Sequence, residues 1–179
     1  PLYSSAASDV YKRQALTLEE SGLLGSAYLA ENPPFDLANV VAGFNFDRVL
    51  PTGKTKDMAV IGYGASELED YLEAELEKQG RYINPDPNPE KGYFYRSDHI
   101  SFAKKGVPVL YSDDGFDLEE GGIEEGFKEI YDYTNFRYHG VNDEYDPSWN
   151  LEGFEQTIDT IFNISQDLSN SSDWPNWYA

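Results

Sequence analysis

Thr17-Leu18-Glu19-Glu20-Ser21-Gly22-Leu23-Leu24-Gly25-Ser26 places two adjacent carboxylates where a short apolar run gives way to a glycine-punctuated helix. Ala15 to Leu18 reads as the tail of a strand. A strand-to-helix junction is where α/β proteins hold ligands and metals. Adjacent side chains on such a turn point in different directions, so one carboxylate can hold a metal while the other faces a substrate as a base. The plain alternative is that acids near a helix N-terminus favour its dipole.

Outward from this turn, strand and helix patterns alternate. Leu23 to Glu31 is expected as a helix with apolar residues at 23, 24, 27 and 28, stopped by Asn32-Pro33-Pro34. Val40 to Phe46 is a continuous apolar run, expected as a buried strand ending at Asp47, and Ala59 to Gly62 is a second short strand. Ser66-Glu67-Leu68-Glu69 has the pattern of a capping box, opening a helix that carries Leu68, Leu72 and Leu76 on one face. Arg81 to Ile83 follows as a strand, then a proline-rich loop over 84–91. Ser97 or Asp98 is placed to cap a short helix ending at Lys105-Gly106, and Val107 to Tyr111 is a further strand. Residues 112–138 read as a long acidic excursion, a kind of loop that is more often functional than idle. A final amphipathic helix carries Leu151, Phe154, Ile158, Ile161, Phe162 and Leu168. This alternation predicts an α/β fold with a largely parallel sheet.

Composition narrows the function. The chain has 179 residues, enough for one domain with a sizeable core. With 33 acids against 13 bases the net charge is −20, which argues against nucleic acid as a partner. It has no cysteine, so disulfides and thiolate metal sites are excluded. No apolar run approaches the roughly 18 residues of a membrane span. No Gly-x-Ser-x-Gly elbow and no phosphate-binding glycine motif occurs, and Gly62-Tyr63-Gly64 lacks a third glycine.

Two histidines remain, His99 in Arg96-Ser97-Asp98-His99 and His139 in Tyr138-His139-Gly140. Zinc takes imidazole nitrogen and carboxylate oxygen, and a catalytic zinc keeps a position open for water. Glu20, Asp47 and His139 each fall at a predicted loop or strand end, where such ligands belong. Asp143 is placed to orient the His139 ring. The ordinary readings are a strand-ending acid at Asp47, a surface histidine at His139 and a packing histidine at His99.

Together these pieces resemble the co-catalytic di-zinc aminopeptidases, a family that includes glutamate carboxypeptidase and glutaminyl cyclase. Matching segments are Glu19 to Ser26, Asn45-Phe46-Asp47, Arg96 to His99 with Phe102, Gly106-Val107-Pro108 and Tyr138-His139, over nearly all of residues 15–179. The 27-residue step from Glu20 to Asp47 also fits. The resemblance implies an α/β fold of three layers, with a mostly parallel mixed central sheet flanked by helices. It implies Glu19 as the general base, Glu20 and His139 as ligands of one zinc, and Asp47 as a ligand of a second. It places Asp98 and His99 along the active site. Tyr93, Phe94, Tyr95 and the 112–138 segment are expected to wall the substrate pocket. The implied activity is hydrolysis of the N-terminal bond of peptides, secreted or periplasmic, with two zinc ions. A single-zinc glutaminyl-cyclase-like reaction and a non-catalytic binding module on the same fold are the alternatives.

In the family a His-x-Asp motif and a bridging Asp precede the Glu pair, and residues 15–18 are too few to hold them. Residues 1–14 have no initiator Met, and Asp9 to Gln14 back-translates to a transposon end used in preparing sequencing libraries. Residues 1–14 are therefore expected to be translated adapter. Residues 15–179 are expected to be the C-terminal part of a catalytic domain, inactive by itself.

Overall fold

The structure, a computed structural model, describes residues 11–179. Most of the expected adapter segment, residues 1–10, lies outside the described residues.

Among the described residues four short strands form one mixed sheet. They are β1 (Gly43–Asn45), β2 (Asp57–Val60), β3 (Tyr82–Pro85) and β4 (Val109–Asp114), in the order β1-β4-β2-β3. β1 pairs with β4 in parallel, Gly43 opposite Val109 and Asn45 opposite Tyr111. β2 pairs in parallel with β3 and antiparallel with β4, Met58 opposite Asp114 and Val60 opposite Ser112.

Helices cover both faces. Leu68, Leu72 and Leu76 of α2 (Leu68–Lys78) and Ile161, Ile164 and Leu168 of α5 (Glu152–Ser169) form one core with Met58, Val60 and Leu110. Alternation along β4 sends Tyr111 to the opposite face. There it packs on His99, at the start of α3 (His99–Ala103), with ring centroids 4.7 Å apart. α1 (Leu24–Glu31) lies against α3, and the buried Ser26 and Ser101 hydroxyls pair at 3.0 Å. The result is a three-layer α/β fold with a mixed sheet.

Several local expectations give way to packing. Ala15 to Leu18 forms no strand. α1 buries Ser26 and Ala30, while Leu24 and Tyr28 are exposed, because close approach to its neighbours selects the small residues. A Cβ on Gly25 would collide with the Thr17 carbonyl. The expected capping box does not form. Ser66 Oγ donates to the Val109 carbonyl (3.4 Å), and the Glu69 carboxylate instead accepts from the Gly64 and Ala65 amides. Residues 112–138 are mostly ordered, since β4 runs on to Asp114 and α4 spans Gly122–Phe136. Phe127 of α4 stacks on Phe116 at 5.1 Å.

The run 40–46 yields only three strand residues, all half-buried, because β1 is an edge strand. Beside it lies a cleft of about 1080 Å³. Its far wall is the second apolar stripe of α5, Phe154, Ile158 and Phe162, spaced four apart and turned away from the core. Ile158 is 63% exposed and Phe162 51%.

Candidate active site

The Glu19-Glu20 turn is held by backbone bonds on every side. The Thr17 carbonyl accepts from Gly25 N (3.1 Å), the Leu18 carbonyl from Leu24 N (3.2 Å), and the Glu19 carbonyl from Gly22 N (3.0 Å) and Leu23 N (2.9 Å). This bonding imposes left-handed backbone on two leucines, Leu18 (φ 58°) and Leu23 (φ 61°). Bulky residues rarely adopt that conformation. Among the described residues one other non-glycine does so, His139 (φ 59°). All three flank or belong to the candidate site, and such strain clusters at functional sites.

The turn and the segment after α4 meet through their side chains. His139 Nε2 lies 2.7 Å from Glu20 Oε1, and the Tyr138 ring stacks on the His139 ring at 3.8 Å. Glu19 titrates above its ordinary value, first because of burial and then because Asp47, Glu20 and Asp98 repel its charge, with His139 opposing. The Tyr138 hydroxyl is also raised, by burial and then by Glu20, Asp47 and Glu19.

The sheet supplies the other side. Asp47 follows the C-terminal end of β1, and its Oδ2 accepts from the Tyr111 hydroxyl (3.2 Å). Asn45 Nδ2 donates to Ser97 Oγ (2.9 Å), tying the end of β1 to the Ser97-Asp98-His99 segment. His99 is 4% exposed, and neither ring nitrogen has a hydrogen-bond partner among the described residues. Burial lowers its pKa to about 4, against a weaker pull from the Phe94 backbone, so the ring is neutral. Phe94 packs edge-on to it at 4.8 Å. Asp98 Oδ1 is likewise buried and unpartnered. Glu19, Asp47, Asp98 and His99 all line the cleft beside β1.

Two candidates stand apart. The Asp143 carboxylate accepts from the Tyr133 hydroxyl (3.0 Å) and does not hold the His139 ring. Tyr95 is exposed, edge-on to Phe94, and does not line the cleft. Tyr111 was not singled out from sequence. The signal available was its place at the C-terminal end of a strand, on the face opposite Leu110.

The donor types suit zinc, which takes one carboxylate oxygen and one imidazole nitrogen readily. Their number is short. Glu20 and His139 meet, but no group of three His, Cys, Asp or Glu side chains converges among the described residues. A catalytic zinc normally has three protein ligands.

The model of Peptidase family M28 matches residues 14–165, most of the chain. No curated protein matches it.

Proposed function

The chain belongs to peptidase family M28, a family of zinc-dependent peptidases, and on that premise we propose that it contributes the general base and part of the metal set of an aminopeptidase. The observation that carries this reading is the Glu20–His139 pair (2.7 Å) beside Glu19, whose pKa is raised first by burial and then by Asp47, Glu20 and Asp98. Glu20 and His139 would hold one zinc and Asp47 a second, the remaining donors coming from outside the described residues. When bound, zinc lowers the pKa of water and polarises the scissile carbonyl.

Glu19 does the proton work. Its raised pKa suits a base that takes a proton from the attacking water and returns it to the departing amine. Tyr111 fixes the Asp47 carboxylate through its hydroxyl. The neutral His99 adds no charge to the cleft. Carboxylates crowding Glu19 favour a substrate end that is cationic, such as a free N-terminal amine. The acidic surface suits action outside the cytoplasm.

The test is a pair of substitutions in the enzyme with its metal set complete, assayed on aminoacyl-nitroanilides. Glu19→Gln should lower kcat by about 10²–10⁴-fold and keep its zinc. Glu20→Ala should lose zinc. Loss of metal from Glu19→Gln with retention in Glu20→Ala would reverse these roles. Because the only described pair of donors serves one metal, a single-zinc cyclase remains the second reading, and a zinc content of one per active protein would favour it.

A further inference from the structure

Three side chains of β4 grip the segment that follows β1. The Tyr111 hydroxyl donates to Asp47 Oδ2 (3.2 Å), Asp113 Oδ2 accepts from Arg48 Nη2 (3.3 Å), and Asp114 Oδ2 accepts from the Leu50 amide (2.6 Å). The backbone of residues 46–50 has no regular structure, so no sheet ladder holds Asp47 in place. Asp113 is an unusual choice for this work. It is 7% exposed, and its Oδ1 is buried with no partner among the described residues. A buried ion pair is weak as a source of stability, and a well-packed apolar pair is often as good or better. What the pair supplies is direction. Arg48 is bound to Asp47 by one peptide bond, and its charge also acts on Tyr138, next to His139.

We propose that Asp113 is a positioning residue that, by holding Arg48, fixes the Asp47 carboxylate relative to the Glu20–His139 pair. The inference rests on the reading of Asp47 as a metal ligand, but its geometry can be tested without metal. A purely structural pair predicts that apolar replacement leaves residues 46–50 as they were. A positioning pair predicts that they loosen while the rest of the chain does not.

The experiment follows amide hydrogen exchange at pH 8 in the full 179-residue chain without metal. Asp113→Leu should speed exchange of the Leu50 amide, which donates to Asp114 Oδ2 and so reports on the segment, at least tenfold, leaving Met58–Val60 and Leu68–Lys78 unchanged. Arg48→Met should do the same, and the double variant should be no worse than either single one. Asp113→Asn, which keeps an acceptor for Arg48, should fall between. The Arg48 variants carry the test if Asp113→Leu does not fold. Unchanged exchange at the Leu50 amide, or a rise shared equally by β2 and α2, would overturn the proposal. A second arm titrates cobalt(II) into the enzyme with its metal set complete, where Asp47 has its co-ligands, and reads its visible absorption. Loss of a ligand-supporting partner typically costs about 10–100-fold in metal affinity, and Asp113→Leu should show a loss of that size. Equal affinity in wild type and variant would overturn the proposal. Absence of cobalt binding in the wild type would count against the metal reading, and the exchange arm would still decide the positioning role.

Discussion

Gly25→Ala sets two opposing effects against each other at the base of the Glu19-Glu20 turn. In an open helix the change should stabilise by about 1 kcal/mol, because alanine is the better helix former. Here the new Cβ would meet the Thr17 carbonyl, a backbone atom that cannot swing aside as a side chain would. That carbonyl already accepts the Gly25 amide, and the next two carbonyls are bonded to the same turn. Overpacking of this kind costs about 1–3 kcal/mol. The clash should win, because its lower bound equals the helix gain and rigid backbone puts it above that bound. The expected net loss is roughly 1–2 kcal/mol, or a fall of about 2–8 °C in Tm for a chain of this size. Urea unfolding measures it, with Ala27→Gly, exposed in the same helix, as the propensity control. A stabilised Gly25→Ala variant would refute the claim that α1 is docked on Thr17 and that this contact sets the position of Glu19.

Two further outcomes follow from the buried acids and from the donor count. Burial pushes Asp113 up to about 7 and Asp114 up to about 6, so both hold protons more tightly in the folded than in the unfolded chain. Their contribution to stability is then present at low pH and lost as pH rises through about 4 to 7. The chain should melt higher at pH 5 than at pH 8, and Asp113→Asn should flatten that slope. An unchanged slope would mean that Asp113 is not the group responsible. In equilibrium dialysis the 179-residue chain should bind zinc weakly, because among the described residues only Glu20 and His139 converge. Tight binding of two zinc ions would reveal donors not recognised among Glu19, Glu20, Asp47 and His139.

The layered fold was legible because its core obeys simple periods. Leu68, Leu72 and Leu76 recur at helical spacing, and all three are fully buried. The meeting of Glu20 with His139 was legible only through the family resemblance, since 119 residues of chain give no distance by themselves. What failed did so where tertiary contact overrode local pattern. Leu24 and Tyr28 looked like a core face, but the residues α1 buries are Ser26 and Ala30, and its Gly25 sits against the Thr17 carbonyl. Ser66 looked like a helix cap, but its hydroxyl turns to β4. The apolar positions of the last helix looked like one stripe and divide in two: residues 154, 158 and 162 face the cleft and stay out of the core, while 161, 164 and 168 enter the core, with 161 and 168 bordering the cleft as well. The grip of Asp113 on Arg48 had no signal, since neither residue sits in a motif.

The edge strand has a consequence for handling the protein in solution. On the cleft side of β1, backbone donors and acceptors stand beside the Phe154-Ile158-Phe162 stripe, a surface on which another chain can template. A net charge of −20 opposes that encounter by mutual repulsion. Repulsion reaches only as far as salt allows, about 30 Å at 0.01 M and about 8 Å at 0.15 M ionic strength. Colloidal stability should therefore run opposite to habit. The chain should stay monodisperse in dilute buffer and self-associate as salt is added, with light scattering rising well before any unfolding is detected.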